Sequence, residues 1–154
     1  FAGPFSQDGA AKLTQATSED LRSFVTKSLL RFDRRTNRYS LHTLLRHYAQ
    51  GLQKNADDLR SAHARYFLTQ LQQMTDRVQE VKNEAPKNLS AVTQDIVSAW
   101  EWATEQNWQG EVSETALALM LFGNAASKMR EVGALIERAL EAFPDAEAEF
   151  RGYL

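Results

Sequence analysis

The sequence predicts a mostly α-helical chain in two parts, on three observations. Apolar residues recur every three or four positions through most of the 154 residues. The exception is a period of two, Leu30 and Phe32 and then Tyr39 and Leu41, around the polar turn Arg34-Arg-Thr-Asn37; that alternation marks a half-buried β-hairpin. Charge also divides the chain: residues 1–54 hold nine Lys/Arg against four Asp/Glu, and residues 55–154 hold nine against sixteen. The expected architecture is helices plus one β-hairpin, a winged helix, over residues 1–53. A solenoid-like α-helical segment follows over 54–154.

In the first part, Ala10, Ala11 and Leu13 put a short helix over Asp8 to Ala16. Ser18 opens a second helix with Glu19 and Asp20 in its first turn, where acids favour the positive end of the helix dipole. Its apolar stripe is Leu21, Phe24, Val25, Ser28 and Leu29. The hairpin is expected at 30–33 and 38–41. Helical spacing resumes with Leu44, Leu45, Tyr48, Ala49 and Leu52, which leaves His42 at the junction of strand and helix. A histidine beside helix N-terminal amides is a candidate contact for an anion such as phosphate.

The second part reads as helix nearly throughout. Leu59, Ala62, His63, Tyr66, Phe67, Gln70 and Leu71 form one stripe, and Glu84-Ala-Pro-Lys-Asn88 interrupts the pattern at a proline. Val92, Ile96, Ala99, Trp100 and Ala103 share a face of the helix Ala91 to Gln106. Val112 to Asn124 and Ser127 to Phe143 form an antiparallel pair closed by Pro144. Aligned on Pro144 as the last position of a tetratricopeptide-type repeat, Ala139 and Leu119 fall on expected small and apolar positions. Met120, Gly123, Val132 and Ile136 do not, so the repeat is degenerate. Trp100, Trp102 and Trp108 read as packing residues at helix crossings, and so do His47 and His63 on their helices.

Composition narrows the function classes. With 43% hydrophobic and 25% charged residues the chain is of ordinary globular type, and without cysteine it has no disulfide, thiolate zinc site or cysteine nucleophile. That composition suits a cytoplasmic setting. No apolar run approaches the ~20 residues of a membrane span, and Phe1-Ala-Gly-Pro-Phe5 lacks the features of a signal peptide. The chain opens without methionine and stops at 150–154 as a helical pattern begins, which reads as a piece of a longer protein. A Gly-x-x-x-x-Gly-Lys-Ser/Thr phosphate loop is absent, so ATP hydrolysis by this segment is not expected. No catalytic triad, carboxylate pair or metal-ligand spacing stands out, and no cofactor is expected in the segment itself.

The run Lys27-Ser28-Leu29-Leu30 followed by Tyr39-Ser-Leu-His-Thr-Leu-Leu-Arg-His-Tyr-Ala49 resembles the winged-helix segment of the STAND class, the signal-transduction ATPases with numerous domains. That class includes plant disease-resistance proteins, the apoptotic protease activating factor and many bacterial transcriptional regulators. Phe1-Ala-Gly-Pro-Phe5 resembles the lead-in that follows their nucleotide-binding domain, and Asp95-Ile-Val-Ser-Ala-Trp-Glu-Trp-Ala103 resembles the helix that opens their tetratricopeptide-like sensor region.

The resemblance implies a non-catalytic regulatory segment of an ATPase that binds ADP and ATP elsewhere. In that class a Met-His-Asp motif sets its histidine against the β-phosphate of ADP and holds the closed state. Leu41-His42-Thr43 occupies the motif, which makes His42 the implied nucleotide sensor. Thr43 stands where aspartate is usual; threonine can cap a helix start but supplies no negative charge. The implied partners are the adjacent nucleotide-binding domain and a protein or small-molecule effector at the helical array. The alternative is a DNA-binding regulator whose wing arginines, Arg31, Arg34, Arg35 and Arg38, grip phosphates. Against it, Ser18 to Leu29 as recognition helix offers only Arg22 and Lys27 as cations, offset by Glu19 and Asp20.

Overall fold

The computed structural model describes residues 1–52, 55–80 and 89–144. In chain order these form α1 (Gln7–Thr14), α2 (Ser18–Thr26), β1 (Leu30–Asp33), β2 (Arg38–Leu41), α3 (Thr43–Leu52), α4 (Ala56–Glu80), α5 (Leu89–Glu105), α6 (Gln109–Ala125) and α7 (Met129–Ala142). The chain divides into two compact units, Phe1–His63 and Ala64–Leu154, with the division inside α4. The expected proline break at Glu84 to Asn88 lies outside the described residues.

Side-chain caps set the helix starts in the first unit. Ser6 accepts the Gly9 N–H at 3.1 Å and opens α1, which ends at Gln15 in the left-handed region. Thr17, not Ser18, caps α2. Its hydroxyl accepts the Asp20 N–H at 3.1 Å while the Asp20 carboxylate accepts the Thr17 N–H at 2.9 Å, a reciprocal capping box. The Thr17 hydroxyl also donates to that carboxylate, and these bonds hold the Asp20 pKa below the usual aspartate value.

The expected α2 stripe is too long. The helix ends at Thr26, Ser28 turns left-handed at φ 57°, and the Leu29 N–H returns to the Phe24 carbonyl at 2.9 Å. This bond pattern is a Schellman stop, and it rotates the residues beyond it off the stripe. Leu21 is buried, whereas Phe24, Ser28 and Leu29 are exposed.

The hairpin occupies the residues its alternation predicts. Leu30 pairs with Leu41 and Asp33 with Arg38, so Leu30, Phe32, Tyr39 and Leu41 share one face and Arg31, Asp33, Arg38 and Ser40 the other. The lead-in adds a bridge that alternation could not reveal: Phe5 and Tyr39 exchange two backbone hydrogen bonds of 2.9 and 2.8 Å. Phe1 stacks on Phe5, and Phe5, Ala10, Leu21 and Leu30 form the unit's small core.

The second unit is an array of helices with one repeated packing rule. Five sets of buried positions recur at a spacing of 20 residues in α5, α6 and α7 or just beyond α7: Val92/Val112/Val132, Asp95/Thr115/Leu135, Ile96/Ala116/Ile136, Ala99/Leu119/Ala139 and Ala103/Gly123/Phe143. The connections repeat too. Asn107 and Ser127 are left-handed at φ 57° and 58°, and the following N–H groups of Trp108 and Lys128 return to the Ala103 and Gly123 carbonyls at 2.9 and 2.7 Å. Identical stops at equal spacing place successive helices in the same register. Arg138 reaches from α7 to Glu101 of α5 at 2.6 Å, and the Arg65 guanidinium lies 4.3 Å from the Trp108 ring centroid.

The stripe expected on α4 is met only in part: Phe67 and Leu71 lie on the buried face, but its flanks differ. Ala64, Phe67, Leu68 and Leu71 are buried, and Leu59 and Ala62 are exposed. Because the first turns of α4 belong to one unit and the rest to the other, a single stripe along its length does not describe it. His63 meets the Phe1 ring edge-on at a centroid distance of 6.0 Å, as a packing residue should, but His47 is exposed.

Candidate functional site

His42 sits between the last residue of β2 and the first of α3. Its backbone carbonyl accepts the Arg46 N–H at 2.9 Å and its Nδ1 accepts the Leu44 N–H at 3.3 Å. The histidine is therefore the helix cap, and Thr43, a residue type able to cap, is the first residue of α3. An Nδ1 that accepts a hydrogen bond carries no proton, which leaves the proton of the neutral ring on Nε2. The ring is exposed, so this backbone bond selects its tautomer and presents Nε2–H as a donor at the surface.

The helix that His42 starts is unusual in what it shows to solvent. Leu44, Tyr48 and Leu52 follow at intervals of four and are 72%, 68% and 62% exposed. Four-residue spacing puts them on one face, one above another. The apolar pattern was visible in the sequence as a stripe suited to a core. Within the described residues this face has no cover.

The four hairpin arginines are not equivalent. Arg31, Arg34 and Arg35 are exposed, while Arg38 is half-buried and donates from Nη1 to the Pro4 carbonyl at 3.0 Å, tying the lead-in to β2. Asp33 accepts the Arg35 N–H at 2.9 Å; that bond, with one from the Thr36 side chain, keeps its pKa below the usual aspartate value. An ionised carboxylate thus offsets part of the hairpin's positive charge. Arg34 and Arg35 lie at the turn end of the hairpin and His42 just past its open end, so four-residue strands separate them by roughly 13 Å at ~3.3 Å per residue. The two groups form separate sites. No cluster of three or more His, Cys, Asp or Glu suited to a metal occurs among the described residues.

No protein-family model, curated protein or solved structure matches this chain. No helix among the described residues is long and apolar enough to cross a membrane.

Proposed function

We propose that the chain is a non-catalytic regulatory segment that docks the exposed face of α3, headed by His42, onto a nucleotide-binding domain. In this reading the Nε2–H of His42 donates to the β-phosphate of ADP, and the apolar stripe behind it provides the contact area. The helical array of the second unit receives an effector, protein or small molecule, and its state biases the docking equilibrium. The observation that carries the reading is the row Leu44, Tyr48 and Leu52, uncovered on the helix that starts at the histidine. Exposed apolar rows on a polar surface mark interaction sites, since each large apolar side chain gains about 1.5–3 kcal/mol on leaving water. The resemblance in the Tyr39 to Ala49 segment supplies the identity of the partner.

Charging this face tests the proposal. Leu44→Lys with Leu52→Lys should leave the melting temperature of the 154-residue chain within about 2 °C, as both sites are exposed. In a protein that carries the segment beside its nucleotide-binding domain, the same pair should loosen the closed form and raise the rate of ADP release. A collapse in the stability of the chain alone, with ADP release unchanged, would place the stripe in a core and defeat the proposal.

A further inference from the structure

The first unit contains an open groove of about 470 Å³ between α1, α2, the hairpin and α3, within the roughly 300–1,000 Å³ range of small-molecule sites. Its lining is almost wholly apolar, with Phe5, Leu21, Phe24, Leu45 and Tyr48 among the larger side chains, and Arg46 is its one charged residue. The Nε of Arg46 is shielded from solvent and has no hydrogen-bond partner among the described residues. A desolvated guanidinium donor without an acceptor is costly, and such a group calls for an acceptor at that place. Apolar walls and a single half-buried cation with an unpartnered Nε call for a ligand with an apolar chain and one negative charge.

We infer that the groove binds an amphipathic carboxylate, its hydrocarbon chain lying along the apolar lining and its carboxylate paired with the Arg46 guanidinium. A planar carboxylate matches the fork of the guanidinium and its single charge balances one arginine, whereas a phosphate dianion leaves charge uncompensated in an apolar cleft. Leu44, the most exposed residue of the α3 row, is not part of the lining. Tyr48 and Leu52 of that row do line the groove, but the inference does not rest on the docking proposal, because it is read from the isolated chain.

The test is calorimetric titration of the 154-residue chain with decanoate below its micelle-forming concentration, beside decanol, acetate and decyl phosphate. Decanoate should bind saturably at one site, decanol and decyl phosphate about tenfold or more weakly, and acetate not measurably. Arg46→Met keeps the apolar stem and removes the cation, so it should reduce decanoate to the level of decanol and leave decanol unchanged. Ala49→Trp, at an exposed position on the lining, should block both. Absence of saturable binding, equal affinity for decanoate and decanol, or undiminished binding by Ala49→Trp would each overturn the assignment. If decyl phosphate binds more tightly than decanoate, the headgroup is wrong. If Arg46→Met does not fold, the ratio of decanoate to decanol on the unaltered chain decides alone; a ratio near one means that water satisfies Nε and the groove is an apolar cleft only.

Discussion

At the scale of single residues, four left-handed positions follow helix ends among the described residues, Gln15 and three that close Schellman stops, and none is glycine. Ser28, Asn107 and Ser127 hold φ of 57°, 57° and 58° and each precedes an N–H that closes a Schellman stop. A side chain there costs about 1–2 kcal/mol, less for asparagine, and glycine recovers part of it against its own larger unfolded-state entropy. Ser28→Gly and Ser127→Gly should therefore each stabilise the chain by about 0.5–1 kcal/mol, and Asn107→Gly by less, as read from urea unfolding midpoints. Destabilisation by either serine change would mean that the hydroxyl has a local role beyond its backbone conformation. These stops were hard to read because the usual marker, a glycine, is missing. The Thr17 cap was hidden for a related reason: Thr17 and Ser18 are adjacent and both can cap, and only the return bond from Asp20 selects the first. The place of His42 was legible, because alternation ends at Leu41 and helical spacing starts at Leu44. That the imidazole itself caps α3 was not, since it depends on side-chain orientation.

At the scale of elements, the 20-residue rule of α5, α6 and α7 makes helix contact depend on a few small residues. A Cβ at Gly123 would lie 2.6 Å from Cγ2 and 3.1 Å from Cβ of Val132, which is buried and has no flexible end to yield. Gly123→Ala should then cost about 1–3 kcal/mol of overpacking, opposed by a helix-propensity gain of roughly 0.5–1 kcal/mol, for a net loss. In a Val132→Ala background the 2.6 Å contact with Cγ2 is gone and only the 3.1 Å approach to Cβ remains, so the same change should cost less. Equal destabilisation in both backgrounds would contradict the close approach of α6 and α7. The buried face of α5 was legible because Val92, Ile96, Ala99, Trp100 and Ala103 are all apolar. The 20-residue repeat was not, because equivalent sites carry unlike residues: Asp95, Thr115 and Leu135 share one position and Ala103, Gly123 and Phe143 another. With unlike residues at equivalent sites, residue type alone loses the period. On α4 the sequence showed a stripe but not that its two ends serve different units.

At the scale of the molecule, the two readings of the first unit predict different ligands. Exposed Arg31, Arg34 and Arg35 sit on the hairpin, and within α2, the candidate recognition helix, the only cation is Arg22. Binding to duplex DNA should accordingly be weak, independent of sequence and lost as salt rises, with a log–log salt slope reduced by about 1 for each phosphate contact removed in Arg34→Ala with Arg35→Ala. Tight binding to a preferred site at physiological salt would make DNA the ligand. The docking account instead places its chemistry at His42, where the backbone of α3 selects the ring tautomer and leaves Nε2–H as donor. The most direct test is the rate of ADP release from a protein carrying this segment beside its nucleotide-binding domain, compared between the unaltered chain, His42→Ala and His42→Ser. Serine restores an acceptor for the helix start but lacks the reach of imidazole, so it separates capping from ligand contact. The account predicts that both variants release ADP about 10- to 150-fold faster, the equivalent of a lost hydrogen bond to a charged group of about 1.5–3 kcal/mol, while the melting temperature of the 154-residue chain with serine is unchanged. Unchanged ADP release in both variants, with a chain destabilised by alanine and restored by serine, would show that His42 caps α3 and does nothing else.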